Sequence, residues 1–179
     1  FRNETKFKTQ EFEYVVPLNF DPITKFLMKF KIYKKKERSL IKHMLDNTDI
    51  IEAGAGIGLI SMYLKKKINN NRLIMIEPNV EMNNIIKNNF LLNNFEKEDI
   101  HIMNFGLSDS EKKGVEFQKF ESDMANTINK DTLEYNFKRK NVEKIDTISI
   151  DTIIKKFDVT YFQLVLDIEG EEVNVLKKK

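Results

Sequence analysis

Seven consecutive residues carry the clearest chemical signal in the chain: Glu52-Ala53-Gly54-Ala55-Gly56-Ile57-Gly58. Three alternating glycines follow an apolar run and precede a pattern with helical spacing. A strand that ends in glycines and feeds a helix presents free N–H groups and the positive end of the helix dipole to a ligand. Glycine lets the chain turn tightly and lets ligand atoms approach the backbone. Dinucleotide-binding loops use the spacing G-x-G-x-x-G; here an acid precedes G-x-G-x-G. A second acid, Glu77, ends the next apolar run, one strand–helix–strand unit later. A carboxylate there can accept two hydrogen bonds from ribose hydroxyls. Either feature alone could be a turn or a surface acid. Together, at this spacing, they predict a nucleoside site.

The second informative stretch is "LVLDIEGEEVNVL", residues 164–176. A buried strand ends in Asp167, and Glu169, Gly170, Glu171 and Glu172 follow. Ligands of doubly wound sheets sit beyond the C-terminal strand ends, so Asp167 should open onto the crevice that holds Glu52 and Glu77. The acids also suit an ordinary first helical turn, where the dipole favours negative charge. Asp167, Glu169 and Glu172 could offer oxygen ligands to a divalent ion, but no further ligand set is visible and no metal is expected. His43 precedes the first strand of the motif and His101 begins a later one; both read as structural.

These residues need a frame. "DIIEA" (49–53), "RLIMIE" (72–77), "DIHIMNF" (99–105) and "YFQLVLDI" (161–168) read as buried strands. Residues 57–67 and 80–93 read as helices, with Ile57, Ile60 and Leu64, then Met82, Ile85, Ile86 and Phe90, on their inner faces. Strands alternating with helices of this length imply an α/β fold, a mostly parallel sheet with helices on both faces. Upstream, residues 1–20 alternate as one or two short strands. Residues 22–46 read as helical: Asp21 caps, Pro22 follows, and Ile23, Phe26, Leu27 and Phe30 form an apolar stripe. Downstream, 114–120 and 142–150 read as strands and 151–157 as a helix capped by Asp151. The polar stretch 121–141 interrupts the pattern and is expected to act as a lid at the C-terminal edge of the sheet, near Asp167. The expected organisation is an N-terminal extension over 1–46 and a single ligand-binding domain over 47–179.

Composition narrows the chemistry. The 179 residues include no cysteine and two histidines, which excludes thiolate metal sites, disulfides and a cysteine nucleophile. Net charge is +2. Lysine far outnumbers arginine, and the densest cluster, "KFKIYKKKER" at 29–38, is a weak polyanion patch beside the reading of a solvated helix face. No run is long enough to span a membrane, and a cytoplasmic location is the default.

The acid–G-x-G-x-G loop resembles the first motif of class I S-adenosylmethionine-dependent methyltransferases, and the chain as a whole resembles their FkbM-type family. The resemblance runs over roughly residues 33–178. It rests on the glycine loop, on Glu77-Pro78-Asn79, on the asparagines from Asn88 to Asn94, and on "FGLSDSEKKG" (105–114). It rests further on "TISIDTII" (147–154) and, most specifically, on Asp167-Ile168-Glu169-Gly170-Glu171-Glu172 with Val175-Leu176. Glu52 stands where the family usually has Asp, and Gly56 where it usually has Asn. The resemblance implies a Rossmann-like fold, and the expectation is that this chain lacks its C-terminal strands. It implies S-adenosylmethionine held by Glu52, Gly54, Ala55, Gly56, Ile57, Gly58, Glu77, Pro78 and Asp167, with Gly106, Leu107, Ser108 and Asp109 around the adenine. An acidic strand end suits a ligand carrying an ammonium and a sulfonium. The implied reaction is methylation of a hydroxyl on a small molecule or sugar, with Asp167, then Glu169, as the base. A nucleic-acid or protein methyltransferase and a catalytically silent cofactor-binding domain are the alternatives. Asp-Ile-Glu-Gly at the fourth strand argues against amino methylation of nucleic acid.

Overall fold

The computed structural model describes residues 4–95, 98–120, 128 and 139–177. Four parallel strands form the central sheet: β3 (Asp49–Ala53), β4 (Leu73–Ile76), β5 (Ile100–Met103) and β10 (Phe162–Leu166), in the order β10-β3-β4-β5. The chain winds outward from β3 through β4 to β5, then returns to lay β10 against the other side of β3. That reversal beside β3 is a switch point, where the crevice beyond the strand ends opens.

Alternation along the strands divides the core into two layers. Ile50, Leu73 and Met75 face one cluster, with Met62 and Leu64 of α3 (Leu59–Ile68) and Met82, Ile86 and Phe90 of α4 (Val80–Leu92). Ile51, Ala53, Ile74 and Ile76 face the other, with Ile153 of α5 (Ile150–Phe157) and Val175 of α6 (Glu172–Leu176). A period of two can serve both faces only when both are covered, which is why these strands read as unbroken apolar runs.

The N-terminal residues join the first layer. A hairpin, β1 (Glu4–Lys8) and β2 (Glu13–Pro17), buries Tyr14 and Val16 there. Asn89 of α4 and Asn93, its C-cap, fix it. Asn89, wholly buried, accepts from the Val15 N–H at 2.7 Å and donates to the carbonyls of Val15 at 3.1 Å and Ile57 at 2.8 Å. Asn93 accepts from the Glu13 N–H at 3.0 Å and donates to the Glu13 carbonyl at 2.6 Å. Four residues of helix rise about 6 Å and two residues of strand about 6.6 Å, so side chains four apart match backbone groups two apart. We expect Asn89→Ala to cost about 2–4 kcal/mol, because it strands buried backbone groups of two segments. The thermal midpoint should fall by roughly 4–16 °C; a fall under 2 °C would remove Asn89 from this role.

Three elements differ from the sequence reading. The helical stretch 22–46 breaks into α1 (Pro22–Lys29), α2 (Lys35–Leu40) and a 3-10 turn, Ile41–His43. The break falls where Lys31 and Lys34 adopt left-handed backbone, φ 60° and 52°. Asp21 does cap α1, accepting from Thr24 N–H. Its apolar stripe nevertheless faces outward: Ile23, Phe26 and Phe30 are 67%, 58% and 56% exposed, while Thr24 and Met28 are buried. The helix is oriented by the chain that enters it, and with so few turns its stripe does not decide. The strand expected over 142–150 divides into β8 (Arg139–Ile145), paired antiparallel with β7 (Val115–Phe120), and β9 (Thr147–Ile148), paired parallel with β6 (Gly106–Leu107). Finally α5 is capped by Ser149, whose hydroxyl accepts from Thr152 N–H, and not by Asp151. Glu111 bonds the Ser149 and Thr152 hydroxyls, which hold its carboxyl down to about 2. Most of the stretch expected to act as a lid, 121–141, lies outside the described residues. Among the described residues no helix is long and apolar enough to cross a membrane.

Candidate active site

The ends of β3, β4 and β10 meet in one cavity of about 740 Å³, within the range of small-molecule sites. Glu52, Gly54, Ala55, Gly56, Ile57, Glu77, Pro78, Gly106, Leu107, Asp167 and Glu169 all line it. Gly58, at φ 76°, ends the loop and starts α3. Ser108 and Asp109, expected beside an adenine, are not among its walls. Ser108 is buried instead and donates its N–H to Ile148 as the β6–β9 pairing continues. Both histidines also lie outside the walls: His101 packs at a tilt against Phe157, ring centroids 4.7 Å apart, and His43 is exposed.

The glycines have different reasons. A Cβ at Gly54 would stand 1.9 Å from the Asp167 carbonyl oxygen, and φ there is +83°. Gly54 is therefore what allows β10 to end beside β3. Around Gly56 a Cβ would meet nothing within 4 Å, so that position keeps open space inside the site.

Glu77 does more than face a ligand. Its Oε2 accepts the Gly56 N–H at 2.8 Å and its Oε1 accepts the Asn79 N–H at 2.9 Å. It thus fixes the glycine loop to the start of α4, and Asn83 and Asn104 brace its own carbonyl. A carboxylate retains further lone pairs beyond these two bonds. Burial pushes its carboxyl up to about 7, against the two amides.

Glu52 is 3% exposed, and its Oε2 has no hydrogen-bond partner. Burial pushes its carboxyl up to about 7 as well; the nearby Ser61 hydroxyl works the other way, and the Asp167 charge adds to the rise. A buried carboxylate oxygen without a partner is costly and calls for a compensating group.

Asp167 donates its N–H to Ala53 at 3.0 Å, which continues the β10–β3 pairing past the strand. Its carboxylate forms an ion pair with Lys34, a residue from the N-terminal segment. Glu169 was expected in a helical first turn. It stands instead in the tight turn before α6, at φ 46°, followed by Gly170 at φ 96°. Burial and the neighbouring Asp167 and Glu172 charges raise its carboxyl above the usual range. Glu172 does open the helix, but its carboxylate accepts from the N–H of Ile168 at 3.3 Å and of Gly170 at 2.8 Å. Among the described residues no group of three acidic, histidine or cysteine side chains is placed to hold a metal ion.

Sequence reasoning missed one wall altogether. Phe20, Tyr33, Lys34, Glu37 and Met44 come from the N-terminal segment, and Phe117 from β7. Lys34 carried no signal among so many lysines.

Residues 52–179 match the model of the methyltransferase FkbM domain. Solved structures similar to the chain include the methyltransferase FkbM from Methylobacillus flagellatus KT. That protein is 22% identical over 74% of this chain and 28% of its own, with a TM-score of 0.48. TYW2 from M. jannaschii, solved in complex with AdoMet, is 17% identical over 56% of this chain and 42% of its own, with a TM-score of 0.43. The chain thus spans less than half the length of either. No curated protein matches it. With a doubly wound sheet, a glycine loop at its switch point and a family match over most of its length, the chain belongs to the FkbM methyltransferase domain family.

Proposed function

We propose that the cavity binds S-adenosylmethionine and that the chain directs its methyl group to a hydroxyl of a small molecule or sugar. The observation that carries this reading is Glu52 Oε2, buried and unpartnered on the wall of an acidic cavity. The open space at Gly56 beside it fits the same group. Such a wall stabilises a ligand cation and suits an ammonium or sulfonium better than a pyrophosphate. On this reading Gly54–Gly58 cradle the cofactor through their backbone, the remaining lone pairs of Glu77 take its ribose hydroxyls, and Gly106 and Leu107 border its base. The N-terminal segment, 1–46, forms part of one working unit with 47–179, since it supplies a cavity wall.

When bound, the cofactor supplies an electrophilic methyl group. The chain must hold the acceptor oxygen in line with it and keep water out. An alcohol must also lose its proton as the new bond forms. Asp167 Oδ1 and Oδ2, at the end of β10, are the acceptors for that proton, with Glu169 next to them.

Calorimetry tests the reading. S-adenosylhomocysteine should bind, and NAD should not; the reverse result sinks it. Glu77→Ala should weaken binding by about 1.5–3 kcal/mol, the worth of hydrogen bonds to a charged group. Labelled cofactor with a hydroxylated small-molecule panel, beside RNA and DNA, identifies the acceptor class.

Two of the raised carboxyls, Glu52 and Glu77, add a pH dependence. Their ordinary value is 4.5 and their folded value about 7. Folding thus favours their protonated forms, so the stability they contribute is full below pH 4.5 and is lost as pH rises through 7. Glu111, held down to about 2, has the opposite sign and loses its contribution as pH falls below 4.5. The ligand-free protein should be most stable near pH 5 by thermal melting. Cationic cofactor prefers the ionised Glu52, so its affinity should rise about three- to tenfold from pH 6 to pH 8, with protons released on binding. A flat affinity over that range would detach Glu52 from the ligand.

A further inference from the structure

Among the described residues, the acidic cavity has one cationic wall residue. Glu37, Glu52, Glu77, Asp167, Glu169 and Glu171 line it, and among the described residues that do so only Lys34 carries a positive charge. Lys34 reaches Asp167 across 133 positions of sequence and lies 3.4 Å from Glu37. Its side chain is 21% exposed, against 49% for Asp167. The backbone holds it there at φ 52°, a left-handed conformation unusual for lysine. Lys31, at φ 60°, begins the same irregular turn, and Glu169 opposite stands at φ 46°. Neither side of this ion pair is a regular element. It joins the turn before α2 to the residue that directly follows β10, and both residues line the cavity.

We propose that Lys34 is the internal counter-ion of the ligand site, which a cationic ligand must displace from the acidic wall, and that it thereby sets how strongly the site prefers a cation over a neutral analogue. This rests on the reading of the cavity as an S-adenosylmethionine site. The argument is one of charge. A ligand cation and the Lys34 ammonium compete for the same carboxylates, in a partly enclosed space where charges interact more strongly than in water. While Lys34 remains paired, part of the wall's attraction is already satisfied. S-adenosylmethionine and S-adenosylhomocysteine differ by the methyl group and the positive charge at sulfur. The ratio of their affinities therefore reads the uncompensated charge of the wall. Burial works to lower the Lys34 ammonium, yet the charge and hydrogen bond of Asp167, with the Tyr33 and Glu37 charges, together outweigh it and hold the group above the usual lysine range, so the competitor stays charged. Lys34 lies outside residues 52–179, so the family match assigns it nothing.

Calorimetry with both ligands on the 179-residue chain, on Lys34→Gln and on Lys34→Arg is the test. Lys34→Gln should bind S-adenosylmethionine about tenfold tighter, with a smaller gain for S-adenosylhomocysteine, so the ratio rises; Lys34→Arg should keep the original ratio. An unchanged ratio, or weaker S-adenosylmethionine binding in Lys34→Gln, overturns the proposal, the second because it would make Lys34 a contact of the ligand. A measurement on the unaltered chain covers the case in which Lys34→Gln does not fold. Amine-reactive labelling of Lys34, read by mass spectrometry, should increase when S-adenosylmethionine is added, because displacement frees the ammonium. Decreased or unchanged labelling overturns the proposal. Absence of binding to the unaltered chain and to both variants sinks the cofactor reading itself, and this inference with it.

Discussion

Replacing Asp167 with asparagine is expected to lower methyl transfer by about 10²–10⁴, the range for loss of a general base, while cofactor affinity changes only a few-fold. The side chain keeps its size and loses its charge. The fold should tolerate this, because Asp167 holds β10 to β3 through its backbone N–H and not its carboxylate. For the cofactor two effects oppose each other. The wall loses one negative charge, and Lys34 loses one of its two carboxylate partners and keeps Glu37. Single-turnover rates at saturating cofactor, beside calorimetric affinity, separate these contributions. If affinity collapses with the fold intact, Asp167 serves the cofactor. If turnover is unchanged, the proton goes elsewhere, and Glu169 is the next acid on the wall.

Gly54→Ala should be the most damaging single substitution in the loop. Its Cβ would stand 1.9 Å from the backbone oxygen of Asp167, just past β10, at φ +83°. Overpacking against backbone costs about 1–3 kcal/mol and left-handed backbone about 1–2 kcal/mol for a side chain. The sum is enough to shift β10, and with it Asp167. We expect the thermal midpoint to fall by roughly 4–20 °C, together with loss of ligand binding. Gly56→Ala is the matched comparison. Its Cβ meets no atom, so only the strain of φ +55° remains, and stability should fall by about 1–2 kcal/mol. If the cofactor occupies that open space, affinity should fall by more than stability does. Equal thermal shifts for the two variants would refute the distinction.

Much of this arrangement was legible from residue types and spacing, for a local reason. Strand, loop and helix around Glu52–Gly58 are specified within some twenty residues, because left-handed glycines, an apolar run and a helix start must be contiguous to work. The same holds for β4 with Glu77 and for β10 with Asp167. Burial on both faces makes such strands continuously apolar, so they stand out in the sequence. The asparagines from Asn88 to Asn94 stand out in the sequence, but their purpose does not. Asn89 and Asn93 tie α4 to β2, and the sequence of α4 does not name the strand it will meet.

Tertiary structure decided what depends on distance along the chain. The sequence shows a carboxylate at Glu77 but not that the amides of Gly56 and Asn79 bind it first. It shows an apolar stripe on α1 but not that the stripe faces outward, because eight residues are too few for their own pattern to fix the orientation. It marks Asp167 as an acid at a strand end, yet the charge beside that acid comes from Lys34, one lysine in a run of them. What selects Lys34 is a left-handed turn at Lys31–Lys34 and the return of β10 beside β3. Local sequence therefore determined the cofactor loop and its acids. The electrostatic balance of the site was set only when segments 133 residues apart were brought into contact, because a charge acts through space on whatever the fold places next to it.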